Sequence, residues 1–132
     1  MEEREITDSA AVVRFYDAVR SSTLSAAALA YGEASNGQEC LLTPDEIADL
    51  ARQAGVTAGT SVLDMGSGTG GPACYLAQQF GCHIVGVDIS AVGHAQAVVR
   101  ARATGVSHLV QFRLGDIHAV ALPPASYIGL WR

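Results

Sequence analysis

The residues best able to do chemistry gather in one stretch, Asp64-Met65-Gly66-Ser67-Gly68-Thr69-Gly70-Gly71, followed by two isolated carboxylates, Asp88 and Asp116. Glycines at this density allow backbone to approach a ligand where a Cβ would not fit, so between a strand and a helix the stretch is a nucleotide-cradling loop. Gly66, Gly68 and Gly71 satisfy the GxGxxG spacing that seats a dinucleotide pyrophosphate on a helix N-terminus. Asp88, at the end of the next apolar run, stands where an acidic side chain can bond both ribose hydroxyls. Both features are common to dinucleotide sites and to other nucleoside sites, so alone they leave the ligand open.

Asp64 and Asp116 narrow the choice. Dinucleotide sites keep an apolar residue two positions before the first glycine, because the pyrophosphate sits against that loop; a carboxylate there suits a cationic ligand instead. Asp116, in Leu114-Gly115-Asp116-Ile117, follows the third apolar run. At the carboxyl edge of a sheet it can accept from an adenine amine, with Ile89 and Ile117 as apolar plates for the ring, although a surface turn after a strand also favours aspartate.

These residues need elements to hold them. Ser61-Val62-Leu63-Asp64 reads as a short buried strand, Pro72 to Phe80 as a helix with Ala73, Leu76, Ala77 and Phe80 inward, and Cys82 to Val87 as a second strand. Ser90 caps a helix to about Ala103 that Gly105 ends, Leu109 to Leu114 is a third strand, and Tyr127 to Trp131 a fourth after Pro123-Pro124. This alternation is the grammar of a parallel sheet with right-handed crossovers, an α/β fold. Upstream the texture is helical. Val12, Phe15, Tyr16 and Val19 share a helix face over about Ser9 to Arg20, and Thr23 to Ala30 is a second helix. Thr43, Pro44 and Glu46 announce a third by a capping box, with Ile47, Leu50, Ala51 and Ala54 as its stripe. The expected division is a helical amino-terminal lid over 1–57 and a nucleotide-binding domain over 58–132.

Val62-Leu63-Asp64-Met65-Gly66-Ser67-Gly68-Thr69-Gly70, then Gly86-Val87-Asp88-Ile89-Ser90, then Gly115-Asp116-Ile117 resemble, in order and spacing, the class I S-adenosylmethionine-dependent methyltransferases. The resemblance implies a Rossmann-like parallel sheet of order 3-2-1-4, incomplete here, with helices on both faces. It implies that Gly66, Gly68 and Gly70, with Ser67 among them, face the methionyl part of the cofactor, that Asp88 binds ribose, and that Asp116 and Ile117 frame adenine with Ile89. Asp64 would orient the amino end through backbone or water. The ligand so implied, S-adenosylmethionine, has an ammonium, a sulfonium and no phosphate, which agrees with the carboxylate at Asp64. The product would be S-adenosylhomocysteine.

The upstream Phe15-Tyr16-Asp17 and Tyr31-Gly32-Glu33 are similar to the lid of small-molecule N-methyltransferases that act on phosphoethanolamine or glycine derivatives, which makes Tyr16 and Tyr31 candidate cofactor contacts beside their packing role. An NAD(P)-dependent oxidoreductase keeps only the shared glycines and Asp88. No catalytic residue can be named, since methyl transfer needs alignment rather than a nucleophile of the enzyme.

Bulk properties bound the rest. The 132 residues are 49% hydrophobic with a net charge of −5, and no run of Lys and Arg offers a nucleic-acid surface. Three cysteines without a CxxC pair suit a reduced, cytoplasmic protein, and His83, His94, His108 and His118 lack metal-ligand spacing. The apolar stretch from Leu24 to Tyr31 falls well short of the roughly 20 residues that span a membrane. Relatives of the resembled family continue past a fourth strand, so a fragment, or a catalytically incomplete module completed by a partner chain, is a further expectation. The apolar edge near Ile128 to Trp131 is where a second copy or a partner would pair.

Overall fold

A computed structural model describes Ala10, Val13, Arg14, Asp17, Ala18 and residues 42–131. The first five are helical, within the helix expected over Ser9 to Arg20. Tyr16, Tyr31 and the helix expected over Thr23 to Ala30 lie outside the described residues. The ordered elements are α1 (Pro44–Gln53), β1 (Ser61–Met65), α2 (Gly71–Phe80), β2 (His83–Asp88), α3 (Ala91–Ala103), β3 (Val110–Leu114) and β4 (Tyr127–Trp131).

The strands form one parallel sheet of order β3-β2-β1-β4, the Rossmann-like order expected from the sequence. Register follows from alternation. Val62 sits beside Ile84 on one side and Ile128 on the other, and Ile84 beside Val110, so one apolar row crosses all four strands. That row is the floor of the core. Ile47 and Ala51 of α1, Ala73, Leu76 and Ala77 of α2, and Ala101 of α3 all pack into the same cluster, so the three helices lie against one face of the sheet. The connection from β3 to β4, residues 115–126, is made of turns and extended chain rather than a helix.

One sequence expectation shifts. Of the stripe expected on α1, Ile47 and Ala51 are buried, but Leu50 is 50% exposed and Ala54 is exposed, while Ala48 is buried in their place. The helix rests on α2 along the arc through positions 47, 48 and 51, and position 50 lies about 100° from its centre at 3.6 residues per turn. Ile47 and Ala51 share the core of the sheet, which packs α1 with the strands that follow it. The capping box itself forms as read. Glu46 N–H donates to Thr43 Oγ1 at 3.3 Å and Thr43 N–H donates to Glu46 Oε2 at 2.8 Å. Donation to the Glu46 carboxylate from the Thr43 backbone N–H first and from the Thr43 hydroxyl, at 3.0 Å, second holds that carboxyl below its ordinary pKa.

Candidate functional site

The carboxyl ends of β1 and β2 meet in a tightly bonded corner. After β1 the chain turns back on β2, where Gly66 N–H and Ser67 N–H both donate to the Val87 carbonyl, at 2.8 and 3.0 Å. Gly68 N–H then donates to Asp88 Oδ2 at 2.8 Å, and Ser90 N–H to Asp88 Oδ1 at 2.8 Å. Gly70 N–H closes the loop onto the Ser67 carbonyl at 3.0 Å. The half-buried Asp88 carboxylate is thus fixed by one backbone donor from each loop. Arg100 of α3 braces the loop from the helix side, its Nε donating to the Thr69 carbonyl at 3.1 Å.

The glycines divide by what surrounds them. Gly66, at φ +75, is exposed, and a Cβ there would meet nothing within 4 Å, so it opens a cradle. Gly70, at φ +79, is buried, and a Cβ there would stand 2.7 Å from Phe112 Cζ and 2.9 Å from Ala97 Cβ. Its missing side chain makes room for the ring of β3. Gly86 does the same from β2, with Phe112 Cδ1 at 2.7 Å and Ser67 Cβ at 2.8 Å from the position of a Cβ. Gly68 and Ser67 are buried in the turn between them. Asp64, on β1, is fully buried (0% exposed) in the row that joins it to Gly86 and Phe112.

The carboxyl end of β3 is more open. Gly115 N–H donates to the Asp88 carbonyl at 2.9 Å, which brings the turn after β3 alongside the corner. Asp116 is exposed; its Oδ1 accepts His118 N–H at 2.8 Å, and its carbonyl accepts from Ala119 and Val120. The Asp116 side chain therefore nucleates its own turn. Ile89 is 48% exposed, Ile117 half-buried, and Leu114, the register partner of Asp88, is 49% exposed. Exposed aliphatic side chains beside two carboxylates form a surface that a planar polar ring could cover.

Residues 62–131, more than half of the chain, match the methyltransferase domain family. The chain belongs to the class I S-adenosylmethionine-dependent methyltransferases. It is similar to the glycine/sarcosine/dimethylglycine N-methyltransferase of Actinopolyspora halophila, 29% identical over 96 residues that cover 71% of this chain and 17% of that protein. It is also similar to the sterol 24-C-methyltransferase of Eremothecium gossypii, 35% identical over 78 residues, 59% of this chain and 21% of that protein. Among solved structures it is similar to an S-adenosylmethionine-dependent methyltransferase of Thiobacillus denitrificans in complex with S-adenosylhomocysteine, 35% identical with a TM-score of 0.55, over 64% of this chain and 33% of that one. The chain thus spans about a fifth of the length of these two curated relatives and a third of the solved one.

For a class I methyltransferase the corner brings together Gly66, Ser67, Gly68 and Asp88, with Ile89, Asp116 and Ile117 alongside. Gly70 it turns toward Phe112, and Asp64 it buries beneath the loop. Residues that sequence reasoning missed are the ones that hold the corner: Arg100, Phe112, Leu114 and Asp17, the last of which accepts a hydrogen bond from Ser90 Oγ. Nothing in a one-dimensional pattern marks them, since each acts through a partner 20 or more positions away. The two cysteines among the described residues stay outside this chemistry. Cys74 and Cys82 are buried, and desolvation pushes both thiols above the ordinary value, against a weaker opposing pull from Thr104 and Arg100 at Cys74.

Proposed function

We propose that this chain binds S-adenosylmethionine at the carboxyl ends of β1, β2 and β3 and carries the cofactor half of a methyltransferase that acts on a small-molecule acceptor. The observation that carries the reading is the Asp88 carboxylate clamped between Gly68 N–H and Ser90 N–H, because it is preset to accept the two hydroxyls of a ribose. The state of the loop favours this cofactor over a dinucleotide. The N–H groups of Gly66, Ser67, Gly68 and Gly70 are all donated within the protein, and Pro72 removes another from the first turn of α2, which leaves a poor cradle for a pyrophosphate. Buried Asp64 places a carboxyl group beneath the loop, on the side where a cationic ligand is favoured over a pyrophosphate.

When bound, S-adenosylmethionine supplies an electrophilic methyl group and S-adenosylhomocysteine remains after its transfer. The residues of this chain position rather than react: Asp88 holds the ribose, Ile89, Leu114 and Ile117 cover the adenine ring, and Asp116 accepts from its amine. The open cradle at Gly66 admits the methionyl end. Alignment of this kind accounts for most of the rate in a displacement whose leaving group is already good. Similarity to both an N- and a C-methyltransferase supports a small acceptor without choosing the atom.

Calorimetric titration with S-adenosylmethionine, S-adenosylhomocysteine and NAD tests the reading. The first two should bind and NAD should not; uptake of NAD alone would overturn it. Transfer of a labelled methyl group to glycine derivatives or sterols then separates an active enzyme from a binding module that a partner chain completes.

A further inference from the structure

The turn that carries Asp88 is held from outside the α/β unit as well as from within it. Ser90, 1% exposed, uses every polar group it has. Its N–H donates to Asp88 Oδ1 at 2.8 Å, its carbonyl accepts His94 N–H at 2.9 Å, and its Oγ accepts Gly93 N–H at 3.0 Å to cap α3. The hydroxyl proton goes to Oδ1 of Asp17, 73 positions earlier in the helical amino-terminal segment. Donation from a buried hydroxyl to a carboxylate is charge-assisted, about twice as strong as a neutral bond, and the negative charge lies where the N-terminal dipole of α3 favours it.

We propose that Asp17 is a positioning residue for the cofactor site: it fixes the Ser90 hydroxyl and, through the Ser90 backbone, the carboxylate that takes the ribose, so that docking of the amino-terminal helix and binding of the cofactor reinforce each other. The proposal rests on the cofactor reading above. Withdrawing the acceptor leaves a buried hydroxyl to compete for groups that Ser90 already serves, which loosens the turn at the atom next to Asp88. By linkage the effect is reciprocal, and a bound cofactor tightens the helix by the factor that the helix tightens the cofactor.

The test uses the full chain with S-adenosylhomocysteine as the probe. Asp17→Ala should weaken binding about fivefold to tenfold, less than the full worth of one hydrogen bond to a charged group, because the loss reaches the cofactor only through Ser90. Asp17→Asn keeps an oxygen to accept the proton and should stay within about twofold of wild type. Ser90→Ala and the double variant should bind alike, since the Asp17 effect has no route left. Hydrogen exchange over residues 10–18 should slow on adding the probe to the wild type and not to Asp17→Ala, a change that a merely structural surface residue would not produce. If Asp17→Ala does not fold, Asp17→Leu withdraws the same acceptor and replaces it. Unchanged affinity in the acceptor-free variant, or effects of Asp17→Ala and Ser90→Ala that multiply, overturns the proposal while the cofactor reading stands. A wild-type chain that binds neither S-adenosylmethionine nor S-adenosylhomocysteine removes both.

Discussion

The corner where β1 and β2 end and the turn where β3 ends both present a carboxylate to the same side of the sheet, yet they are built on different principles. Asp88 is fastened by donors from two separate loops and backed by buried glycines and the Phe112 ring. Asp116 is exposed and bonded only to backbone groups within a few residues of itself. The first is a tertiary construction, preorganised before any ligand arrives; the second is a local turn that can adjust to one. A site made of one rigid and one adaptable carboxylate can fix the sugar and follow the base.

The sharpest way to break that contrast is at the glycines. Gly70→Ala collides with Phe112 and Ala97 and adds a side chain at positive φ, and should cost about 2–4 kcal/mol of stability by chemical denaturation. Gly66→Ala, at similar φ but facing open space, should cost about 1–2 kcal/mol, with its larger effect on cofactor affinity in calorimetry. Equal losses of stability at the two positions would deny that one supports the fold and the other the cradle. Next in size, Asp88→Ala should weaken binding by about 1.5–3 kcal/mol and also destabilise the empty protein, because Gly68 N–H and Ser90 N–H lose their acceptor. Asp116→Ala should cost about 0.5–1.5 kcal/mol of affinity. A loss as large as that of Asp88→Ala would mean that the turn after β3 is no less preorganised than the corner.

The smallest effect on affinity lies away from the site and serves as its control. Thr43→Ala removes the cap of α1 and should lower stability by about 1 kcal/mol while leaving cofactor affinity unchanged. It also carries a pH signature. The folded Glu46 carboxyl sits below its ordinary pKa, so the unfolded chain binds more protons, and the contribution is whole above the ordinary glutamate value and lost as pH falls through the lowered one. In Thr43→Ala the stability curve should be flatter across that acid window, as followed by urea unfolding at stepped pH.

The sequence was most legible where structure is local. Strand ends, the Ser90 and Thr43 caps, and β4 at Tyr127–Trp131 all follow from alternation, capping chemistry and turn residues, and the parallel order follows from strand–helix alternation. It was less legible where a residue's partner is distant. The inward arc of α1 depends on where α2 lies, so Leu50 read as core and stands exposed. Asp17 entered the sequence reading only within Phe15-Tyr16-Asp17, the stretch similar to a methyltransferase lid, and its meeting with Ser90 is set by tertiary docking that no spacing records. Gly70 illustrates the middle case: its type was informative, but whether the absent side chain yields to a ligand or to a neighbour depends on Phe112, on another strand.

That ring has a consequence for how such a chain can change. Positions 70, 86 and 112 draw on one shared volume, since a Cβ at either glycine would overlap the same aromatic side chain. A methyl group gained on one strand has to be surrendered on another, so substitutions at these three places are expected to come in concert rather than singly. Any redesign that aims to reshape the loop after β1 has to begin two strands away, at residue 112.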